Sequence, residues 1–326
     1  MKLTTYLVTG AAGFIASRTA EILLEQGHTV VGLDNMNDYY DVRLKEHRLE
    51  KLKQHPNFIW KYLDIEDFNA LKALFQEFAF SVVFNLAARA GVRYSLENPF
   101  VYNSTNSTGT LNLLELMKQN GVDKMVLAST SSLYAGLPMP FTEDLAVNTP
   151  LTPYAASKKA AEMMAYSYHK MHDLDISVVR YFTVFGPAGR PDMAPLRFVK
   201  WIAEGTPITL YGDGEQARDF TYVDDIARGT IAAGKKVGYE VINLGGGNNP
   251  VSINSFIAMI EEMTGKKAVI DRKPMHKADM KETWADISKA ERLLKWKPQV
   301  SVEEGVKQTV DWYYANEAFV KDLKVI

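Results

Sequence analysis

Short apolar runs alternate with longer amphipathic stretches through the first half of the chain. The runs typical of buried strands are residues 4–9, 28–33, 58–63, 81–86, 124–129 and 175–180. The stretches between them predict helices over residues 14–26, 42–53, 67–78 and 99–120, and from Pro153 onward. A regular alternation of strand and helix is typical of α/β proteins, so we expect a doubly wound parallel sheet of the Rossmann type.

The pattern changes after the first 185 residues, where glycines and prolines begin to interrupt shorter elements. We therefore expect a nucleotide-binding domain over residues 1–185 and a smaller C-terminal α/β domain over residues 186–326. Residues 219–223 and 240–244 have the pattern of strands. We expect these two strands, in the segment from about 219–250, to return to the main sheet.

The first predicted strand, the helix behind it and the second strand enclose a glycine-containing turn. Gly10 and Gly13 allow the backbone to approach a pyrophosphate at a helix N-terminus, where the helix dipole favours anions. Asp34 follows Gly13 by 21 residues, where a carboxylate can accept hydrogen bonds from both ribose hydroxyls. Because this carboxylate would repel a 2′-phosphate, the unit predicts NAD rather than NADP. Ala16 stands at the third glycine position, a tolerated variant.

Tyr154 and Lys158 are the most distinctive pair of titratable residues. Their spacing places both side chains on one face of the helix that begins at Pro153. A cation beside a phenol lowers its pKa, and a positively charged nicotinamide would add to this effect. We therefore expect Tyr154 to act as a general base near neutral pH, although an ordinary amphipathic helix can carry the same pair. The fifth strand brings three hydroxyl residues, 130–132, to the ligand-binding edge of the sheet.

Composition narrows the classes of function. The formal net charge is −2 and hydrophobic residues make up 47% of the chain, so neither a nucleic-acid partner nor a membrane partner is expected. The chain has no cysteine and no apolar run of membrane-spanning length, and we expect a cytoplasmic location.

Other polar positions have simpler interpretations. No metal site is predicted, since His169 and His172 lack a third ligand. Asp224 and Asp225 are interpreted as helix caps and Gly245-Gly246-Gly247 as a flexible turn. The charged residues of the helix over 42–53 are expected to form a solvated face.

Several runs resemble one family, the extended short-chain dehydrogenases/reductases that act on nucleotide sugars, and the likeness spans nearly the whole chain. Its general markers are the glycine turn at 10–13, Asp64-Ile65, Leu86-Ala87-Ala88, Asn106 and the Tyr154/Lys158 pair. A narrower likeness to the UDP-glucuronate 4-epimerases rests on residues 34–41, 90–95, 180–187 and 189–194. Two positions depart from that pattern: Arg89 stands where Gln is expected, and Asn85 where His is more usual.

The resemblance implies an NAD-dependent conversion of UDP-glucuronate to UDP-galacturonate. Tyr154 would take the proton from the sugar 4-hydroxyl while carbon 4 gives hydride to NAD. Lys158 would hold the cofactor ribose, and Thr130 would hydrogen-bond the 4-oxygen. The transient 4-keto sugar would turn over in the site and take the hydride back on its other face.

The resemblance also implies a set of ligand contacts. Those to the cofactor are Gly10, Gly13, Phe14, Ile15, Asp34, Asn35, Asn37, Asp64, Ile65, Leu86, Ala87, Ala88, Asn106, Tyr154, Lys158 and Tyr181. Those to the UDP-sugar are Arg93, Thr130, Ser131, Ser132, Thr183, Arg190, Arg218 and Asp279. Of these, Arg218 matches a pyrophosphate contact and Asp279 a residue near the nucleoside. A homodimer through the helices near 99–120 and 153–172 is implied as well.

Three alternatives stay open. Dehydratases on this scaffold place Asp-Glu directly after the threonine, and decarboxylases carry Glu at the second position, whereas this chain has Ser131 and Ser132. Epimerases for neutral UDP-hexoses usually have Asn at the position of Thr183. A non-catalytic NAD(H)-sensing regulator tends to lose the Tyr154/Lys158 pair, which this chain keeps.

Overall fold

The chain is built around one parallel sheet, and a computed structural model describes residues 4–247, 250–275 and 280–325. Within these residues the strands are β1 (Thr5–Thr9), β2 (Thr29–Asp34), β3 (Phe58–Tyr62), β4 (Val82–Asn85), β5 (Lys124–Thr130), β6 (Asp175–Tyr181), β7 (Thr183–Phe185), β8 (Ile208–Tyr211), β9 (Ala217–Arg218), β10 (Phe220–Tyr222), β11 (Tyr239–Leu244), β12 (Val251–Ser252) and β13 (Ile270–Lys273). The helices are α1 (Phe14–Glu25), α2 (Val42–Lys53), α3 (Phe68–Glu77), α4 (Tyr94–Glu97), α5 (Pro99–Tyr102), α6 (Gly109–Asn120), α7 (Pro153–His172), α8 (Ala194–Glu204), α9 (Val223–Ala232), α10 (Ile253–Thr264), α11 (Ser288–Leu294), α12 (Val302–Ala315) and α13 (Glu317–Lys321).

The main sheet has seven strands in the order β11-β6-β5-β4-β1-β2-β3, and every neighbouring pair is parallel. The chain order reverses beside β1, which leaves a crevice at the carboxyl ends of β1 and β4. The predicted doubly wound sheet is thus confirmed. All six strands predicted in the first half lie in it, and the strand predicted at 240–244 joins its edge as β11.

Two apolar layers cover the faces of this sheet. Successive residues of a strand point to opposite faces, so Leu7 and Val83 pack against α3, α6 and α7, whereas Val8 and Phe84 pack against α1, α9 and α11. All four side chains are buried. Because the central strands are covered on both faces, their sequences are continuous apolar runs and not alternating ones.

A third apolar cluster lies under the C-terminal elements α8, α10 and α12. The rings of Phe220 and Phe256 stack in it with centroids 4.4 Å apart. Phe14 of α1 and Leu44 of α2 belong to the same cluster. The C-terminal elements therefore pack directly on the first βαβ unit.

The strand predicted at 219–223 does not return to the main sheet. Its residues form β10, which pairs with β7 in a separate two-stranded parallel sheet. The prediction was wrong because β11 already occupies the free edge of β6, and the Thr183 amide donates instead to the carbonyl oxygen of Asp219 at 3.2 Å.

The single helix predicted over 99–120 is interrupted. Residues Asn103–Thr108 form a π-helical turn between α5 and α6. This run of asparagine, serine and threonine has low helix propensity, since such side chains compete for backbone hydrogen bonds. The wider turn carries Asn106, whose side chain bonds the backbone N–H and C=O of Arg89 and the hydroxyl of Ser157.

The turn after β1 lies close to the backbone that follows β4, and substitutions at two glycines can measure this contact. Gly10 and Gly27 both have positive φ, 68° and 84°. A Cβ at Gly10 would lie 2.8 Å from the Cα of Ala87, whereas one at Gly27 would meet nothing within 4 Å. Gly27→Ala should cost about 1–2 kcal/mol of unfolding free energy for backbone strain alone. Gly10→Ala should cost about 1–3 kcal/mol more, because the overlap is with backbone.

Urea unfolding of both variants measures this difference, with Gly27→Ala as the matched control. Equal destabilisation by the two substitutions would contradict the close approach of the turn to Ala87.

Candidate active site

A cavity of about 980 Å³ lies at the carboxyl ends of the central strands and extends under the C-terminal elements. Most of the residues selected from the sequence line it. They are Gly10, Gly13, Phe14, Ile15, Asp34, Asn35, Asn37, Asp64, Ile65, Leu86, Ala87, Ala88, Arg93, Thr130, Ser131, Ser132, Tyr154, Lys158, Tyr181, Thr183, Arg190 and Arg218. One cavity therefore brings together the residues expected to contact cofactor and substrate.

The glycine turn forms one end of this cavity. The amide of Gly13 donates to the carbonyl oxygen of Gly10 at 2.7 Å, and α1 begins at Phe14. A Cβ at Gly13 would lie 2.8 Å from the same oxygen. Only glycine fits this tight turn, and the N-terminus of α1 borders the cavity, where its dipole suits a phosphate.

Asp34 is buried at the end of β2. Its Oδ1 accepts from the amide of Met36 at 2.8 Å and lies 3.4 Å from Nζ of Lys45. The next residue, Asn35, donates to a carboxylate oxygen of Asp64 at 2.6 Å. Lys45 is only 4% exposed, so the expectation that the charged residues of α2 form a solvated face was wrong for it.

The two departures from the family pattern both have partners. Arg89 donates from Nη1 to Oδ1 of Asn37 at 3.0 Å, at the rim of the predicted ribose site. Asn85 accepts from the Thr9 hydroxyl at 2.9 Å and donates to the Thr110 hydroxyl at 3.0 Å. Asn85 thus bridges β1, β4 and α6 with both ends of its amide.

Tyr154 borders the cavity, and burial raises the pKa of its phenol above the ordinary value. A hydrogen bond with Thr130 and the charge of Arg190 act in the opposite direction on this pKa. Desolvation is the largest influence on this phenol, and the expectation that Lys158 together with a bound nicotinamide brings the Tyr154 pKa toward neutrality stays a prediction. The nearby cation that favours the phenolate is Arg190.

Lys158 is buried one turn further along α7. Its ammonium donates to the carbonyl oxygen of Ala128 at 2.9 Å. Burial lowers the pKa of Lys158 to about 8, and the charge of Glu162 opposes that shift. The lysine is therefore held at the cavity wall by the backbone of β5.

Glu162 and Arg180 form a buried ion pair that the sequence analysis missed. Nη2 and Nε of Arg180 lie 2.8 and 2.9 Å from the two carboxylate oxygens of Glu162. The Ser129 hydroxyl donates to Glu162 at 2.6 Å, and Arg180 also donates to the Tyr134 hydroxyl at 2.8 Å. The signal was present, because Glu162 continues the four-residue spacing of Tyr154 and Lys158 on α7.

Hydroxyls cluster where β5 ends. Oγ1 of Thr130 accepts from the amide of Ser132 at 3.1 Å, which caps the short 3₁₀ turn over Ser131–Tyr134. Thr183, at the start of β7, lines the same cavity. These side chains offer short hydrogen-bonding groups beside Tyr154 without a carboxylate in the positions after Thr130.

Arginines border the cavity on the side of the C-terminal elements. The Arg93 guanidinium lies 4.2 Å from the ring centroid of Tyr211. Arg197 is half-buried; desolvation lowers its pKa, and the charge of Arg93 acts in the same direction. Arg190 pairs with Asp192 at 3.0 Å and donates to the carbonyl oxygen of Ala90 at 3.1 Å. Arginine forks of this kind suit phosphate or carboxylate ligands.

Among the described residues, one predicted ligand contact, Asn106, does not line the cavity. Asn106 is buried behind Arg89, whose backbone it holds. Asp279 lies outside the described residues. Within the described ranges, no cluster of three or more His, Asp or Glu suits a metal ion.

Three other interpretations change with the structure. The N-cap of α9 is Tyr222, so Asp224 and Asp225 are not its caps. Asp224 accepts from Arg18 at 2.9 Å, and Asp225 accepts from the backbone amides that precede α12. The turn at 245–247 is fixed, because the Asp219 carboxylate accepts from two of its amides. Among the described helices, none is both long and apolar enough to cross a bilayer.

Comparisons with known proteins agree with this geometry. A family model described as GDP-mannose 4,6 dehydratase matches residues 7–309. A UDP-glucuronate 4-epimerase of Thermodesulfobacterium geofontis is 61% identical over 320 residues, which cover 98% of this chain and 99% of that protein.

Two solved structures are also similar. The UDP-glucuronic acid 4-epimerase of Bacillus cereus in complex with UDP-glucuronic acid and NAD has a TM-score of 0.90 at 39% identity, over 95% of this chain and 99% of that one. The UDP-glucose 4-epimerase of Thermotoga maritima with UDP-glucose has a TM-score of 0.88 at 32% identity, over 96% of this chain and 99% of that one.

A doubly wound sheet with a tyrosine and a lysine at its carboxyl edge defines an extended short-chain dehydrogenase/reductase. The chain belongs to this class, and within it to the family that the GDP-mannose 4,6 dehydratase model describes. The family resemblance seen in the sequence is thereby confirmed.

The buried ammonium of Lys158 generates a prediction about pH. Folding lowers the Lys158 pKa from 10.5 to about 8, so between these values the unfolded chain binds the extra proton. The unfolding free energy of the wild type should therefore rise with pH through this window, by about 1.4 kcal/mol per pH unit at most.

Lys158→Met removes the titrating group. In protein freed of nucleotides, the wild type should gain unfolding free energy relative to the variant as the pH is raised from 7.5 to 10. Lys170→Met, an exposed lysine on the same helix, is the control. A difference that stays constant with pH would show that Lys158 keeps its ordinary pKa.

Proposed function

We propose that this protein is an NAD-dependent 4-epimerase that interconverts UDP-glucuronate and UDP-galacturonate. The observation that carries the proposal is the shared cavity, which is lined by the glycine turn, Asp34, Tyr154, Thr130 and several arginines. The similar proteins from Thermodesulfobacterium geofontis and Bacillus cereus carry the same activity in their names.

The residues of the turn fit a bound NAD. The close approaches at Gly10 and Gly13 leave backbone at the N-terminus of α1, where a pyrophosphate would be held. The carboxylate of Asp34 and the amides of Asn35 and Asn37 suit the adenosine ribose. When bound, the oxidised cofactor accepts hydride and adds positive charge beside Tyr154.

Tyr154 takes the proton of the sugar 4-hydroxyl. Since burial raises its pKa, the phenol needs nearby positive charge to act as a base, and Arg190 supplies part of that charge. Thr130 hydrogen-bonds Tyr154 and is placed to hold the 4-oxygen as it becomes a ketone. Lys158, fixed by Ala128, faces the cavity where the nicotinamide ribose would lie.

Epimerisation requires the 4-keto sugar to turn over before hydride returns. Arg197 and Arg218 would keep the diphosphate in place during that motion. We propose that the nucleoside binds beyond these arginines, and the family resemblance matches Asp279 to a residue near the nucleoside.

Oxidation at carbon 4 of glucuronate produces a β-keto acid, which loses carbon dioxide when the breaking bond aligns with the ketone π system. An epimerase must hold the carboxylate so that this bond lies near the carbonyl plane. We propose that Ser131, Ser132 and Thr183 fix the carboxylate by hydrogen bonds, with Arg190 or Arg93 as the charge partner.

The alternatives draw less support from the site. The family model is named for a dehydratase, but the positions after Thr130 hold Ser131 and Ser132 in place of the acidic pair that water elimination uses. A sensor without catalysis would not need Tyr154 and Lys158 in one cavity. A neutral UDP-hexose substrate would leave Arg190 and the hydroxyls without a carboxylate to bind.

We also propose a homodimer through α5, α6 and α7. This surface exposes large apolar side chains: Phe100 is 83% exposed and Met171 is 72% exposed, while Met163 and Tyr166 are about half exposed. Such a patch is typical of an interface. The cytoplasmic location and the division of the chain near residue 185 stay predictions, since they rest on the sequence pattern.

Tyr154→Phe tests the proposed base. The substitution removes one oxygen and leaves the ring, so binding of UDP-glucuronate should change little. The rate of UDP-galacturonate formation, followed by NMR, should fall about a thousandfold, within the range for loss of a general base. Tyr314→Phe, an exposed tyrosine on α12 outside the proposed interface, is the control. A Tyr154→Phe variant that retains a tenth of the wild-type rate would refute the assignment.

The hydroxyl cluster makes a prediction about side products. Ser131→Ala combined with Thr183→Val should loosen the carboxylate and release UDP-4-keto-pentose together with NADH. Mass spectrometry of overnight reactions detects the sugar, and near-ultraviolet absorbance detects NADH. Ser81→Ala with Thr206→Val, both exposed, is the matched control. Slower epimerisation without decarboxylated sugar would show that the cluster is not the safeguard.

A further inference from the structure

Arg48 of α2 is a buried cation that the mechanism above does not use. Arg48 is only 4% exposed. Its guanidinium donates to the carbonyl oxygen of Ala12 at 3.1 Å and to the Tyr40 hydroxyl at 2.8 Å. It also donates to the carbonyl oxygen of Ala188 from two nitrogens, at 3.0 and 2.7 Å, and to that of Gly189 at 3.2 Å. All three of its nitrogens are thus engaged.

These partners come from two different parts of the cavity wall. Ala12 stands in the glycine turn between β1 and α1, at the predicted pyrophosphate site. Ala188 and Gly189 precede Arg190 directly in the chain. Arg48 therefore links the backbone of the glycine turn to the backbone segment that carries Arg190.

The segment before Arg190 needs such a link. Ala188 has a φ of 51°, in the left-handed region that costs a residue with a side chain about 1–2 kcal/mol. Strained backbone of this kind persists only where surrounding contacts hold it. Arg48 donates two hydrogen bonds to the Ala188 carbonyl, and these contacts help to hold the strained turn.

Arg190 depends on the geometry of that turn. Its guanidinium pairs with Asp192, donates to the carbonyl oxygen of Ala90 and lies 5.8 Å from the ring centroid of Tyr39. Its charge acts on Tyr154. A small rotation at Ala188 would move the guanidinium relative to both Tyr154 and the substrate carboxylate.

We infer that Arg48 is a positioning residue: it fixes the position of Arg190 relative to the glycine turn and acts on the reaction through Arg190. The rate measurements that test this inference assume the proposed epimerase function. Lysine cannot replace arginine here, because one ammonium cannot serve carbonyl groups on two segments in the fixed geometry of a guanidinium fork. The requirement is therefore geometric and not only one of charge.

A double-mutant cycle tests the inference in the NAD-loaded full-length protein. The variants are Arg48→Lys, Arg190→Lys and the two combined, and the readouts are kcat/KM for UDP-glucuronate and its affinity by calorimetry. Arg48→Lys should lower kcat/KM about ten- to a hundredfold, as expected for a shift of about 1 Å in a positioned group. The double variant should be within about threefold of Arg190→Lys alone, because the second change removes what the first one positions.

A control separates this role from general stability. Arg18→Lys alters another arginine that links two elements, α1 and α9 through Asp224, without touching the segment before Arg190. It should leave kcat/KM within about twofold and should combine multiplicatively with Arg190→Lys. Thermal midpoints and bound NAD are measured for every variant.

The outcomes are distinct. Effects of Arg48→Lys and Arg190→Lys that multiply in both readouts would overturn the inference, as would an Arg48→Lys enzyme with wild-type kcat/KM. If neither Arg48→Lys nor Arg48→Gln folds, Arg48 serves stability alone and the inference fails. If the wild type does not epimerise UDP-glucuronate but the affinities show the non-additive pattern, the proposed function fails and the inference stands.

Discussion

The buried ion pair between Glu162 and Arg180 fixes the geometry on which the site depends. It joins α7 to β6, and the Ser129 hydroxyl ties the same carboxylate to β5. Tyr154 and Lys158 lie on the helix that the pair holds, and Thr130 follows Ser129 directly. A buried pair adds little net stability, but loss of one partner leaves an uncompensated charge and costs about 3–5 kcal/mol. The pair therefore fixes the position of Tyr154, the proposed base, relative to the hydroxyl of Thr130.

Burial and positive charge act in opposite directions on the pKa of the proposed base, Tyr154. Burial favours the neutral forms of both Tyr154 and Lys158, since it raises one pKa and lowers the other. The cation that acts on Tyr154, Arg190, comes from a segment beyond the main sheet. Proton transfer then requires the cofactor side and the substrate side to be correctly placed against each other. On this proposal, Arg48 would influence the chemistry because its hydrogen bonds join the two sides.

The sequence was sufficient for the main sheet and insufficient where tertiary contacts override local pattern. The apolar runs of β1 to β6 are continuous because both faces are covered, and this is visible in the sequence. Lys45 and Arg48 looked like a solvated helix face, yet both are buried against Asp34 and the cofactor turn. Periodicity cannot show this, because a charged side chain is buried only when distant residues supply its partners. The prediction that residues 219–223 join the main sheet was wrong for a similar reason, since β11 already occupies that edge of the sheet.

The arginines show how one cavity can hold a nucleotide sugar and still let the sugar turn. Arg93 and Arg197 lie close enough for the charge of one to lower the pKa of the other, so an anion between them relieves repulsion as well as gaining hydrogen bonds. An anionic nucleotide sugar would therefore gain most beside these arginines. In the proposed mechanism the diphosphate stays bound while the hydroxyls and Arg190 hold the carboxylate in each of the two orientations of the ring. Their hydrogen bonds must then break and form again as the ring turns, so the proposed rotation requires stronger binding at the diphosphate than at the ring.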